Sequence, residues 1–149
     1  SEKRSEEFKS LSKGFIDNLD VDEVIAHLLV TEGFSSIDEV AMVSTDELAS
    51  IEGFDEELAK ELINRAKNFI EKIKKENLEK LKSAGVEEYL LNHNVLTTVQ
   101  LLKLKENAII TRDQLADLSS DELIDILTDL ERNKADQIIL ESREHWFKE

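Results

Sequence analysis

The residues of this chain that could do chemistry are three histidines and 34 carboxylates, with no cysteine to support them. Nucleophilic catalysis needs a thiol, hydroxyl or amine beside a base. His27 lies in the apolar run VIAHLLV, where it reads as a partly buried packing residue. Neither His93 nor His145 falls in a recognisable motif. Acid pairs such as Asp22/Glu23 and Glu56/Glu57 are adjacent in sequence, so they do not converge on one helix face. A glycosidase-like pair would need a concave site, which small helical modules with 5% aromatic residues rarely form. There is no Cys, no His-x₃-His pair and no calcium loop, so no metal site is expected. The expectation is a chain that is not an enzyme and carries no cofactor.

The stretch LASIEGFDEELAKEL, residues 48–62, holds the most informative chemistry. A short helix ends near Ile51, Gly53 supplies a left-handed backbone residue, and Asp55 can cap the helix that follows. The pattern is that of a helix-hairpin-helix unit. In DNA-binding hairpins of this kind, a Gly-x-Gly turn brings backbone amides to a phosphate. Here Asp55 replaces the second Gly, and Glu56 and Glu57 follow it. Three carboxylates satisfy the helix dipole internally and repel phosphate. A turn that merely packs two helices has the same signature. The related segment ILTDLERNKA, residues 126–135, contains no Gly.

The elements that position this turn occur twice. Sliding the chain by 75 residues lays Val24–Ile51 on Val99–Ile126 with nine identities in 28 positions, including Leu29/Leu104, Asp38/Asp113 and Asp46-Glu47-Leu48 on Asp121-Glu122-Leu123. One extra residue after Ile126 then aligns Ala59 with Ala135 and Leu62-Ile63 with Ile138-Ile139. Helix starts repeat as well. Ser36-x-x-Glu39 and Thr111-x-x-Gln114 are capping boxes, as are Ser44-x-x-Glu47 and Ser119-x-x-Glu122. Asp20-x-x-Glu23 reads as a further start. The periodicity predicts helices over 6–14, 21–32, 36–42, 45–51 and 56–76. A second set is expected over 77–83 (separate, or continuous with the helix before it), 86–92, 97–106, 112–117, 120–127 and 131–147. No segment alternates as a strand does.

The expected fold is therefore all-α: two small helical modules of helix-hairpin-helix type joined by a helical linker. Charge suggests the boundaries. Residues 17–70 carry −11 and residues 86–149 carry −7, while residues 71–85 carry +2. The division expected is a linker helix at 1–16, a first acidic repeat at 17–76, a linker at 77–85 and a second acidic repeat at 86–149. The total of −15 argues against nucleic acid or an anionic membrane as the primary ligand and favours a basic protein surface. No apolar run reaches the ~20 residues that span a bilayer, and the polar start carries no signal sequence. A cytoplasmic protein fits both, and the polar start fits a segment of a longer one. The only Trp, Trp146, sits beside Phe147 near the end. The stripe Ala135, Ile138, Ile139, Ser142 and Trp146 places Trp146 in the second core, with Phe147 about 100° away and free to anchor a partner.

The run LDVDEVIAHLLVTEGFSSIDEVAMVSTDELASIEGFDEELAKELINRAKNF resembles the first acidic repeat at the C-terminus of the bacterial transcription elongation and termination factors of the NusA family. The second copy is similar to the second acidic repeat. The resemblance covers about residues 16–149, and residues 1–15 fit the helix that follows the family's KH domains. It implies transcription termination, antitermination and regulation as the setting. The implied partners are the C-terminal domain of the RNA polymerase α subunit, the factor's own KH RNA-binding region, and antitermination proteins. The second copy departs from the pattern in lacking the turn Gly. Its acidic stretches, Asp117, Asp121, Glu122 and Asp125, then Asp129 and Glu131, are the expected contact face; Gly53 and Asp55 mark the hairpin turn of the first copy. A helix-hairpin-helix DNA-binding module of a repair protein is the alternative. A self-associating SAM-type domain is a third reading.

Overall fold

The computed structural model describes residues 2–148, and all regular structure among them is helical. The chain divides into two compact units, Ser1–Ile73 and Lys74–Glu149.

In the first unit, α1 (Glu2–Leu19), α2 (Glu23–Thr31), α3 (Ile37–Met42), α4 (Thr45–Ala49) and the first part of α5 (Glu56–Ser83) enclose a core of aliphatic residues and Phe15. Each short helix begins where a side chain replaces the missing backbone acceptor. Asp22 takes the Ile25 amide, Ser36 the Glu39 amide and Ser44 the Glu47 amide. The expected start at Asp20 is not used. Asp20 has φ 55°, and its carbonyl, with that of Leu19, accepts from Arg65 Nη1 at 2.7 and 3.1 Å. Leu48 and Leu62 are almost completely buried, whereas Leu58 is only partly so.

The second unit contains the rest of α5, then α6 (Glu88–Leu91), α7 (Thr98–Glu106), α8 (Arg112–Ala116), α9 (Ser120–Ile126) and α10 (Arg132–Arg143), closed by a 3-10 turn at Glu144–Trp146. The pairs Leu29/Leu104, Val40/Leu115 and Leu48/Leu123 all have zero exposure, so the repeat seen in sequence is a repeat of core positions. Thr97, Thr111 and Ser119 each form a fully reciprocal capping box with the residue three positions on. In the first unit, only the hydroxyl half of the Ser36 and Ser44 boxes forms. There Glu39 instead accepts from the Ser35 hydroxyl.

The helix that ends the α2-type segment leaves through a left-handed residue in both units. Gly33 has φ 100°, with its amide and that of Phe34 bonded to Val30 and Leu29 carbonyls. At the same offset Ala108 has φ 63°, with the same two bonds to Lys105 and Leu104. Ala therefore holds a conformation that suits Gly.

Three further expectations need correction. α1 runs from Glu2 to Leu19 rather than over 6–14, and it buries Ser12, Phe15 and Leu19, so residues 12–16 build the first core instead of only linking to it. Residues 56–83 form one helix, the continuous one of the two arrangements expected for 77–83, but Leu81 within the expected 77–85 linker is fully buried in the second core rather than only joining the modules. The reason is that Asn77 and Leu81, one helical turn apart, share a buried face while Glu79, Lys80 and Lys82 stay exposed. The stripe through 131–147 also breaks: α10 stops at Arg143, and Trp146 is 44% exposed rather than a core residue.

Candidate interaction surfaces

In the first unit the hairpin turn is built from Ile51 to Asp55. The Phe54 amide returns to the Ile51 carbonyl at 2.9 Å, and Gly53 between them has φ 93°. Asp55 Oδ1 accepts the Leu58 amide at 2.7 Å, so one of the free amides at the start of α5 is occupied by the protein's own carboxylate. Asp55, Glu57 and Glu61 border a shallow groove with Leu58.

The second unit makes a turn of the same length, Leu127 to Glu131, and its extra residue lies before the turn, between Leu123 and Leu127. The Leu130 amide bonds the Leu127 carbonyl at 3.1 Å, and Glu131 occupies the cap position without a side-chain bond. Left-handed residues other than Gly are Asp20 and Ala108 among the described residues, so this turn closes without a left-handed residue. No position in this turn therefore calls for Gly.

All six carboxylates expected at a contact face are exposed, but their states differ. Asp121 pairs with Arg132, which ties the starts of α9 and α10 together. Glu122 closes the capping box with the Ser119 amide at 3.0 Å. Asp129 lies 3.5 Å from Gln100 Nε2, the side chain that also caps α7. Asp117, Asp125 and Glu131 project from a helix end, a helix face and a turn, and no side-chain bond engages them among the described residues. The first group makes contacts within the unit; the second makes none through its side chains among the described residues.

Three arginines that sequence reasoning passed over cap helix C-termini. Arg65 reaches the end of α1. Arg112 donates to the Ser142 and Glu141 carbonyls of α10, both at 3.1 Å, while its guanidinium lies 4.2 Å from the Tyr89 ring centre. Arg143 answers from α10 to the Ala116 and Leu118 carbonyls beside α8. Cations at carbonyl ends complement the helix dipole. Burial pushes the Tyr89 hydroxyl above its ordinary value, partly opposed by Arg112.

The histidines are structural in their geometry. His93 Nδ1 accepts the Val95 and Leu96 amides at 3.1 and 3.2 Å, which requires a neutral ring nitrogen, and burial holds its pKa below the ordinary value. His145 Nε2 lies 2.6 Å from Asp113 Oδ1. The pair is two-thirds of a hydrolase triad, yet His145 Nδ1 is buried with no partner, so no nucleophile is aligned with it. The Trp146 indole N–H donates to the same Asp113 oxygen at 2.7 Å. These bonds, that to Trp146 foremost, hold the Asp113 carboxyl below its ordinary pKa. No group of three or more His, Asp or Glu side chains among the described residues could hold a metal ion. No helix among them is long and apolar enough to cross a membrane.

Residues 15–68 match the family described as the SAM-like helix-hairpin-helix tandem, the segment that carries the Gly53 turn. Two relatives are 38% identical to this chain over 122 residues, 82% of its length. They are the transcription termination/antitermination proteins NusA of Rickettsia prowazekii (strain Madrid E) and of Rickettsia conorii (strain ATCC VR-613 / Malish 7). The chain is homologous to a segment of NusA. It spans about a quarter of those proteins, 24% of each. Because the hairpin-family match ends at residue 68, the likeness to NusA extends well beyond the hairpin tandem.

Proposed function

We propose that this chain is a non-catalytic protein-interaction region of a NusA-type transcription elongation, termination and antitermination factor, acting in the cytoplasm. The observation that carries the reading is the Asp55 carboxylate bonded to the Leu58 amide. At the place where a hairpin of this fold would offer amides to a phosphate, the chain presents an occupied amide and three carboxylates. With a net charge of −15, the remaining surface suits basic protein partners.

The second unit is the part proposed to bind the C-terminal domain of the RNA polymerase α subunit. When that domain is absent, it would cover the factor's own KH RNA-binding region and regulate its RNA binding. Asp117, Asp125 and Glu131 supply free carboxylates for such a contact, and antitermination proteins would be partners of the same class. Opposite charges across the interface speed association and make affinity fall with salt.

An NMR titration of the labelled chain with the C-terminal domain of the polymerase α subunit tests this. Shifts are expected within residues 86–148. No shifts at about 1 mM partner, equivalent to less than about 4 kcal/mol of binding energy, would overturn it. The alternative, a repair-type DNA-binding hairpin, is separated by a duplex titration. Affinity tighter than about 10⁻⁶ M at physiological salt would favour it, because non-specific binders sit at about 10⁻⁴–10⁻⁶ M.

A further inference from the structure

The two units share an aspartate at the same repeat position, Asp38 and Asp113, but treat it differently. In the first unit α5 continues as helix past the equivalent point, and Ile70 packs against the core. In the second unit α10 ends at Arg143, and the 3-10 turn swings His145 and Trp146 onto Asp113. The result is an aromatic ring fastened by its polar edge to an exposed carboxylate.

We propose that Asp113 and Trp146 form a receptor for an arginine side chain of a basic protein partner. The inference rests on reading the second unit as a binder of basic protein surfaces and names the chemistry that reading lacks. Both donors take Oδ1 of Asp113, and among the described residues no hydrogen bond engages Oδ2. Oδ2 can therefore accept from an incoming guanidinium. The indole beside it is 44% exposed, and its N–H bond to Asp113 fixes its orientation before any partner arrives. A guanidinium can stack flat on such a ring while its N–H groups reach the carboxylate, a combination that an ammonium matches less well.

The chain's own nearby arginines do not fill the site. Arg112 lies against Tyr89 and the Glu141 and Ser142 carbonyls, and Arg143 is held by the Ala116 and Leu118 carbonyls. Phe147, 81% exposed, adds apolar surface next to the indole. Glu144, exposed on the same turn, adds negative charge. The low pKa of Asp113 keeps the carboxylate ionised at neutral pH.

The test titrates octa-arginine and octa-lysine peptides into the full chain, followed by the indole N–H resonance of the single Trp and by binding isotherms. Variants are Trp146→Leu, Asp113→Asn and, as a charge control elsewhere on the unit, Glu106→Gln, each first shown to be folded by its amide spectrum. Octa-arginine is expected to move the indole resonance and to bind more tightly than octa-lysine. Trp146→Leu and Asp113→Asn should weaken it by about five- to thirtyfold, and Glu106→Gln by less. Octa-arginine binding that leaves the indole unmoved, with Trp146→Leu unchanged in affinity, would overturn the receptor while leaving the second unit a binder of basic surfaces. No binding at about 1 mM peptide would overturn both.

Discussion

Ala108 carries the backbone angle of its repeat partner Gly33 without being glycine, and replacing it should stabilise the second unit. At φ 63° an L-residue is disfavoured by about 1–2 kcal/mol relative to the right-handed region. Restoring Gly removes that strain but lets the unfolded chain sample more conformations, which costs about 0.4–1 kcal/mol. The net expected from Ala108→Gly is a gain of about 0.5–1 kcal/mol. With a urea m-value of about 1 kcal/mol/M for a unit of this size, the midpoint should rise by about 0.5–1 M. Trp146 lies in the second unit, so fluorescence of the only Trp follows that unit in the intact chain. The mirror substitution Gly33→Ala should destabilise the first unit. A Cβ added there meets nothing within 4 Å, so the loss would come from backbone strain alone. Amide exchange at Ala26 and Leu29 would read it. A midpoint for Ala108→Gly that is unchanged or lower would refute the assignment of strain to this residue.

Leu62→Ala should cost the first unit about 2–5 kcal/mol and exceed Leu58→Ala, because Leu62 is 1% exposed and Leu58 only partly buried; equal losses in thermal melts would count against the packing. Asp55→Ala removes the cap of α5 and should cost about 0.5–2 kcal/mol by urea denaturation, while duplex DNA binding stays undetected. His93 is held neutral by burial, so its folded pKa lies below its unfolded one. Its contribution is fully present above the unfolded value near 6.5 and is lost as pH falls below that. Melts of the second unit should thus weaken from about pH 6.5 downward, and His93→Gln should reduce that slope; an unchanged slope would exclude His93 as its source.

The all-helical class, the 75-residue repeat, the capping residues at Ser36, Ser44, Thr111 and Ser119, and the Gly53 turn were all legible in the sequence. Each depends on residues at most four apart, or on comparing the chain with itself, and local spacing records such relations directly. The likeness to NusA was legible too, since it is carried by runs of consecutive residues rather than by contacts between distant ones. Tertiary structure decided what distant residues do. Arg65 reaches back 46 positions to Leu19, Arg112 forward 30 to Ser142, and Arg143 back 27 to Ala116. No periodicity encodes such reach, because a long flexible side chain can satisfy any carbonyl that folding brings within range. Trp146 shows the same limit most plainly. Helical spacing put it in the core, but a carboxylate 33 positions away offered its indole N–H a partner that an apolar core could not. The helix ends three residues earlier, and the ring stays at the surface.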